Sequence, residues 1–156
     1  MGELLPIYLN DHLAGATLGV ELARRLRASN QDDPEFGPAL AEVCAEIEAD
    51  RETLKATMDQ LGVGQSKLKP LVAVLGERLG RLKLNGRLRG YSPLSRLYEL
   101  EMLQIGVVGK RALWRALEHA HASDLPSVEL GALAERATGQ LRRLEALHLK
   151  AAGQAL

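Results

Sequence analysis

Hydrophobic residues recur at intervals of three and four along most of this chain, the spacing that places them on one face of an α-helix. The pattern predicts four long amphipathic helices, over approximately residues 4–28, 38–61, 93–120 and 127–151. Turn-forming residues separate the first two helices. A longer connection over residues 62–92 leads to the third helix and contains one short predicted helix, Ser66–Leu79. We therefore expect a single all-α domain over residues 1–156, an up-down four-helix bundle made of two helical hairpins joined by a crossover.

Several local signals support these helices. Ser92 precedes Pro93, which combines a capping hydroxyl with a proline suited to the first turn of the third helix. Ser127 stands near the expected start of the fourth helix. Gly15 and Gly19 lie one turn apart on the first helix, so we expect a neighbouring backbone to approach closely there.

Composition narrows the class of protein without giving a function. The 156 residues are 46% hydrophobic and 26% charged, which fits one globular domain and argues against disorder. No hydrophobic run approaches the length of a membrane span, and no secretory leader is visible at the start. Lone Cys44 excludes an internal disulfide and fits a reducing compartment. The expected location is the cytoplasm, with no membrane as a partner.

Charge is spread unevenly, although the formal net charge is zero. Residues 1–65 hold 12 acids and 5 bases, a net of −7, whereas residues 66–90 hold 7 bases and 1 acid, a net of +6. The basic residues of this middle segment are Lys67, Lys69, Arg78, Arg81, Lys83, Arg87 and Arg89. They could bind an anion or a nucleic acid. The segment lacks the aromatic residues that stack on bases, so packing against the acidic first hairpin is the favoured interpretation.

Each predicted helix also carries charged or histidine residues on its apolar face at a similar height. They are Asp11 and His12 on the first helix, Glu48 and Arg51 on the second, Glu101 on the third, and Glu145 and His148 on the fourth. Buried charges are costly unless they are paired or coordinate a metal. The pattern therefore indicates either an ion-pair network or a metal site.

This layer resembles the metal site of the ferritin-like di-iron carboxylate superfamily, whose bundles use single carboxylates from two helices and a Glu-x-x-His motif from each of the other two. Glu145 and His148 match one motif, and Glu48 matches the acid of the other. Asp11 and Glu101 match the single carboxylates. The resemblance covers nearly the whole chain in architecture but only these residues in motif. It implies one or two ions of iron or manganese, with a redox or protective role toward iron and oxygen.

Arg51 departs from the family pattern, because it stands where the second histidine belongs and a guanidinium cannot ligate a metal. One alternative is that Arg51 replaces one of two metals. A second is that it neutralises the nearby carboxylates in a metal-free network. In a third, His12 joins His148 and one carboxylate in a set suited to non-haem iron or manganese. Tyr8 and Tyr98 are expected to present their hydroxyls to the same layer.

Three functions remain open from the sequence. The leading one is a ferritin-like protein with a reduced carboxylate and histidine site that binds iron or manganese. The second is a non-enzymatic interaction or scaffold bundle in which the polar layer is a structural ion-pair network. The third is anion or nucleic-acid binding through the basic segment over residues 67–89. Assembly into a homo-oligomer is compatible with each.

Overall fold

The computed structural model describes residues 4–66 and 91–156, and all regular structure within these ranges is helical. The helices are α1 (Leu4–Ser29), α2 (Gly37–Gln60), α3 (Pro93–His121) and α4 (Leu130–Ala155), with a short 3-10 helix at Ala122–Asp124. No strand occurs in these described ranges, so the all-α prediction is confirmed. The seven basic residues of the crossover, and all but the first residue of the predicted short helix, lie outside the described residues.

Two helix starts show how local chemistry sets the boundaries. Ser92 caps α3 as predicted, because the Ser95 N–H donates to Ser92 Oγ at 3.0 Å and Pro93 follows in the first turn. The fourth helix begins three residues later than the predicted start at Ser127. The Ser127 hydroxyl donates to Gln60 Oε1 at 3.3 Å and does not cap the helix.

A tight turn joins α1 to α2. The Asp33 carboxylate accepts the backbone N–H groups of Glu35 and Phe36, at 2.9 and 3.3 Å, which shapes the turn before α2. A Cβ on Gly37 would lie 2.9 Å from the carbonyl oxygen of Gln31. Only glycine therefore fits where α2 begins, and the two helices turn back on each other over a few residues.

The four helices form two hairpins that pack side by side. α1 packs on α2, α3 packs on α4, and α1 also packs on α3, whereas α2 and α4 meet over a shorter stretch. One hydrophobic cluster joins the C-terminal half of α1 to the N-terminal half of α3, through residues that include Val20, Leu26, Leu97 and Leu100. Neighbouring helices α1 and α3 therefore run antiparallel.

A second hydrophobic cluster joins the opposite ends of the helices. It contains Leu9 and Leu13 of α1 together with Leu113, Trp114 and Leu117 from the C-terminal part of α3. Leu54 and Met58 of α2 belong to the same cluster, as does the beginning of α4. The space between the two clusters is where polar groups enter the bundle.

Two arginines make contacts near the loops at one end of the first cluster. Arg96 lies over the Phe36 ring, 4.1 Å from its centroid, and so covers the turn between α1 and α2. Arg25 of α1 pairs with buried Glu99 of α3 at 2.6 Å. The Tyr91 hydroxyl donates to the same carboxylate at 2.8 Å. Burial, together with the charge of Glu99, raises the pKa of Tyr91 well above its usual range, so the phenol remains a donor.

Candidate functional site

Among the residues predicted as metal ligands, only Glu101 and His148 are hydrogen-bonded to each other. His148 Nε2 lies 3.0 Å from Glu101 Oε1 across the contact between α3 and α4. The His148 side chain is 25% exposed and that of Glu101 is 42% exposed, so the pair lies near the surface of the bundle. The pair supplies two ligands, one fewer than the two-histidine, one-carboxylate set expected from the sequence.

The other predicted ligands lie elsewhere. Glu48 accepts a hydrogen bond from Arg24 Nε at 2.6 Å, and this contact lowers the pKa of Glu48. Asp11, Glu145 and Tyr98 are exposed. Over residues 4–66 and 91–156, no group of three or more histidine, cysteine, aspartate or glutamate residues could hold a metal ion. The ligand set implied by the resemblance is therefore not assembled in this part of the chain.

Within the described residues, Arg51 forms no ion pair with Asp11, Glu48 or Glu101, although one of the alternatives from the sequence had it neutralise nearby carboxylates. Its guanidinium binds Glu52, the next residue along the helix, with Nη2 2.9 Å and Nε 3.0 Å from Glu52 Oε1. Glu52 also accepts from Lys55 Nζ at 3.0 Å. The Glu52 side chain is more than half exposed, so Arg51 is a mostly buried cation whose partner lies in water.

A buried polar layer does exist, but other residues form it. Asp50 of α2 is the centre, and its side chain is completely buried. Lys110 Nζ of α3 donates to Asp50 Oδ2 at 2.5 Å, and Arg136 of α4 donates to Asp50 Oδ1. Gln140 Nε2 of α4 donates to Asp50 Oδ2 at 3.0 Å. Both oxygens of the carboxylate are thus bonded, and three helices are joined through one anion.

Gln140 extends the layer to a second carboxylate. Its Nε2 also donates to Glu46 Oε2 at 3.0 Å, and its Oε1 accepts from Lys110 Nζ at 2.5 Å. Arg143 Nη2 donates to the same Glu46 oxygen at 2.6 Å. Burial acts to raise the pKa of Glu46, but the hydrogen bonds from Arg143 and Gln140 outweigh it and lower the pKa. Burial lowers the pKa of Lys110, and Asp50 opposes that shift.

The spacing of the residues in this layer indicates their burial. From the sequence alone, Asp50 and Arg51 were alternatives for the same position in the stripe of the second helix. Asp50 lies three residues after Ile47 and four before Leu54, so it occupies a position of the buried stripe of α2. Gln140 stands in the same relation to Ala137 and Leu144 on α4. A polar residue at a position where the stripe would place a hydrophobic residue is expected to be buried. Glu48 and Arg51 lie beside the stripe and remain nearer to water.

A cleft of about 760 Å³ lies between α1 and α3, with α2 as its floor. Most of its lining is apolar, and the residues are Leu18, Leu22, Ile47, Leu54, Met102, Leu103, Ile105, Val107, Leu113 and Trp114. Ile105 is 65% exposed although it is a large aliphatic residue. This volume and lining are typical of sites that bind small organic molecules.

Four glycines line the cleft. Gly15 and Gly19 on α1, and Gly106 and Gly109 on α3, would each accept a Cβ with no described atom outside the local backbone within 4 Å. The close backbone approach predicted at Gly15 and Gly19 is therefore absent in the described part of the chain. The glycines widen the cleft.

Tyr8, Asp11 and His12 line one end of the cleft. Tyr8 and His12 stack edge to face, with ring centroids 4.6 Å apart. Burial lowers the pKa of His12 and so favours the neutral imidazole, and the charge of Asp11 opposes the shift. Trp114 is fully buried, and its Nε1 has no acceptor among the described residues.

Comparisons with known proteins give no match. No family model fits the chain, and no similar sequence among curated proteins or similar chain among solved structures was found. No helix in residues 4–66 or 91–156 is both long enough and apolar enough to cross a membrane. The geometry of the layer and of the cleft is therefore the basis for assigning a function.

Proposed function

We propose that this protein is a non-enzymatic helical bundle that binds a ligand or partner in the cleft between α1 and α3. The observation that carries the proposal is the cleft itself, an apolar cavity of about 760 Å³ bordered by the exposed side chains of Met102 and Ile105. Exposed apolar surface of this kind is unfavourable in water unless a ligand or partner covers it.

The Asp50 layer has a structural role in this proposal. Its carboxylate accepts hydrogen bonds from Lys110, Arg136 and Gln140, and the Asp50 side chain is completely buried. Breaking such a buried pair is costly, whereas an intact one fixes how helices align. The layer holds α2, α3 and α4 in register and keeps the floor of the cleft in place.

Binding of the hydrophobic dye anilinonaphthalene sulfonate tests this proposal. The binding is measured as the rise in fluorescence of the dye. We expect saturable binding to the wild type. Ile105→Glu should weaken binding about tenfold or more, because a carboxylate at the cleft would lose water when the dye enters.

A matched control is available on the neighbouring helix. Leu149 of α4 is also 65% exposed but does not line the cleft. Leu149→Glu should leave the dye affinity unchanged. Equal loss in the two variants, or no dye binding by the wild type, would contradict the proposal.

The finer fold assignment, a ferritin-like bundle, also remains a proposal. It is supported by the two hairpins, by the crossover between them, and by the antiparallel packing of α1 on α3. The contact between Glu101 and His148 favours a second candidate function, the binding of one iron or manganese ion at that pair.

Thermal unfolding with added Mn(II) or Fe(II) tests the metal candidate. If a metal binds at this pair, His148→Ala should abolish the rise in melting temperature that excess metal produces. His121 makes a similar contact with Asp124 at 2.9 Å and is equally exposed, so His121→Ala is the matched control. No metal-dependent rise in the wild type would exclude this candidate. Anion or nucleic-acid binding by the basic crossover remains a prediction from the sequence.

A further inference from the structure

The outward side of α3 is unusually apolar for a helix at the surface of a bundle. Two charged side chains of this helix are directed into the protein, because Glu99 is buried and Lys110 binds Asp50 in the buried layer. The side opposite the buried stripe is called here the outer face of α3, and it consists of Tyr98, Glu101, Ile105, Val108, Ala112 and Arg115. A surface helix normally presents charged and polar residues on that side.

The large apolar side chains of the outer face are exposed. Tyr98 is 39% exposed, Ile105 65% and Val108 47%. The surface of α2, by contrast, carries exposed acids such as Glu42 and Glu52. Of the outer face, only Ile105 also lines the cleft. The outer face is therefore a second apolar surface, separate from the cleft, that a partner would cover favourably.

The spacing of the outer face is that of a contact between two helices. Successive residues from Tyr98 to Arg115 are 3, 4, 3, 4 and 3 positions apart, the alternation that keeps side chains on one seam between packed helices. These intervals are the same when they are read from either end. A second copy of α3 that runs in the opposite direction therefore presents a matching seam, with a two-fold axis between Ile105 and Val108.

Side-chain size and charge also match in this antiparallel arrangement. Ile105 would face Val108 of the second copy, and Glu101 would face the small Ala112. Arg115 of the second copy would lie one turn further, about 4.5 Å along the axis from Glu101, within reach of its carboxylate. Within one chain Glu101 and Arg115 are about 21 Å apart along α3, so they can pair only between copies.

A parallel arrangement is disfavoured by the same charges. Glu101 would face Glu101 of the second copy, and Arg115 would face Arg115, so like charges would repel at both ends of the seam. In the antiparallel arrangement each end joins an acid to a base. His148 binds Oε1 of Glu101, and a carboxylate accepts hydrogen bonds at both of its oxygens, so this contact is compatible with the pair between copies.

We propose that the outer face of α3 is the docking surface for a second copy of this chain, packed antiparallel across a two-fold axis. The face spans about 26 Å of helix, which is short for a protein interface. Interfaces at the low end of the size range support weak association. We therefore expect a dimer whose Kd lies in the micromolar range. The inference goes beyond the proposed binding function and does not depend on it.

Sedimentation velocity of the full chain measures the association directly. We expect the average mass to rise from that of one chain to that of two as the protein concentration passes through the micromolar range. Val108→Glu should abolish this rise, because a carboxylate would lose water against the apolar seam. Dye binding should be retained in this variant, since Val108 does not line the cleft.

A matched control lies on α1. Ile7 is an aliphatic residue that is 59% exposed, and it belongs neither to the outer face nor to the lining of the cleft. Ile7→Glu adds the same charge at a similar exposure and should leave the association unchanged.

Reversal of charge tests the antiparallel arrangement and does not rely on Val108→Glu. Glu101→Arg and Arg115→Glu should each weaken association about tenfold, because like charges would then meet at both ends of the seam. The double variant, Glu101→Arg with Arg115→Glu, should regain the affinity of the wild type. Circular dichroism of each variant shows whether its helices remain folded.

Four results would overturn the inference. The first is a mass of one chain at every concentration, which would leave the proposed function of the cleft intact. The second is association that survives Val108→Glu or is lost equally in Ile7→Glu. The third is a double charge reversal that does not restore association after both single reversals have weakened it. The fourth is binding of the wild type to phosphatidylcholine vesicles without self-association, which would identify a membrane surface as the partner.

Discussion

The Asp50 layer and the α1–α3 cleft share residues of α2 and α3, yet the side chains of the layer are paired and many of those in the cleft are not. In the layer, both oxygens of Asp50 are bonded by groups from two other helices. In the cleft, large apolar side chains such as Ile105 are exposed. Lys110 belongs to both regions, because its Nζ binds Asp50 and it also lines the cleft. The proposed function therefore rests on the unpartnered apolar surface of the cleft and not on the buried charges of the layer.

The largest effect is expected from breaking the layer. Asp50→Ala should lower the free energy of unfolding by about 3–5 kcal/mol, because Lys110 and Arg136 would lose the buried anion that neutralises them. Urea denaturation followed by circular dichroism measures this change. As a control, Glu52→Ala removes an exposed partner of Arg51 and should cost less than about 1 kcal/mol. Similar values for the two variants would mean that the layer is not structural.

The sequence predicted the helices well because their stripes repeat over many residues. It also predicted that polar groups enter the bundle, because several charged residues fall on the hydrophobic stripes. It did not identify the residues that form the buried layer, because Asp50 and Arg51 are adjacent and differ by only about 100° around the helix. This difference in direction decides whether a side chain is buried or exposed to solvent. Which of the two residues is buried depends on the rotation of α2 about its axis relative to α3 and α4.

The cleft was beyond the reach of sequence reasoning for a different reason. Gly15 and Gly19 fit a close helix contact and an open groove equally well, because a missing side chain permits both. The distance between α1 and α3 is set by the packing of Val20 and Leu26 at one end and of Leu9 at the other. Such a distance is a property of the assembled bundle and is not encoded in any one segment.

A smaller effect, dependent on pH, should come from Glu46. Because its pKa in the folded protein is lowered from the ordinary 4.5, its carboxylate stabilises the fold above that pH. This stabilisation is lost as the pH falls through the folded pKa. Glu46→Gln should therefore lower the melting temperature at pH 7, and the difference from the wild type should shrink as the pH falls below about 4.5. A difference that stays constant from pH 7 to pH 3 would show that the charge of Glu46 contributes nothing.

The smallest effect on stability is expected in the cleft. Ile105→Ser should change the free energy of unfolding by no more than about 0.5 kcal/mol, since the isoleucine side chain is mostly exposed. Dye affinity should nevertheless fall in the same variant, which would separate stability from function. If chemical denaturation showed that the free energy of unfolding falls by about 2 kcal/mol or more, Ile105 would belong to the core. Its effects on stability and on dye binding could then not be separated.

The most direct test of the central claim is a dye titration followed by NMR of the glycine amides, whose nitrogen shifts lie apart from those of most residues. Binding in the cleft should move the signals of Gly15, Gly19, Gly106 and Gly109, which line it. The signals of the glycines of α4, namely Gly131, Gly139 and Gly153, should not shift. Shifts confined to the α4 glycines, or absent from the four cleft glycines at saturation, would contradict the assignment of the cleft as the binding site.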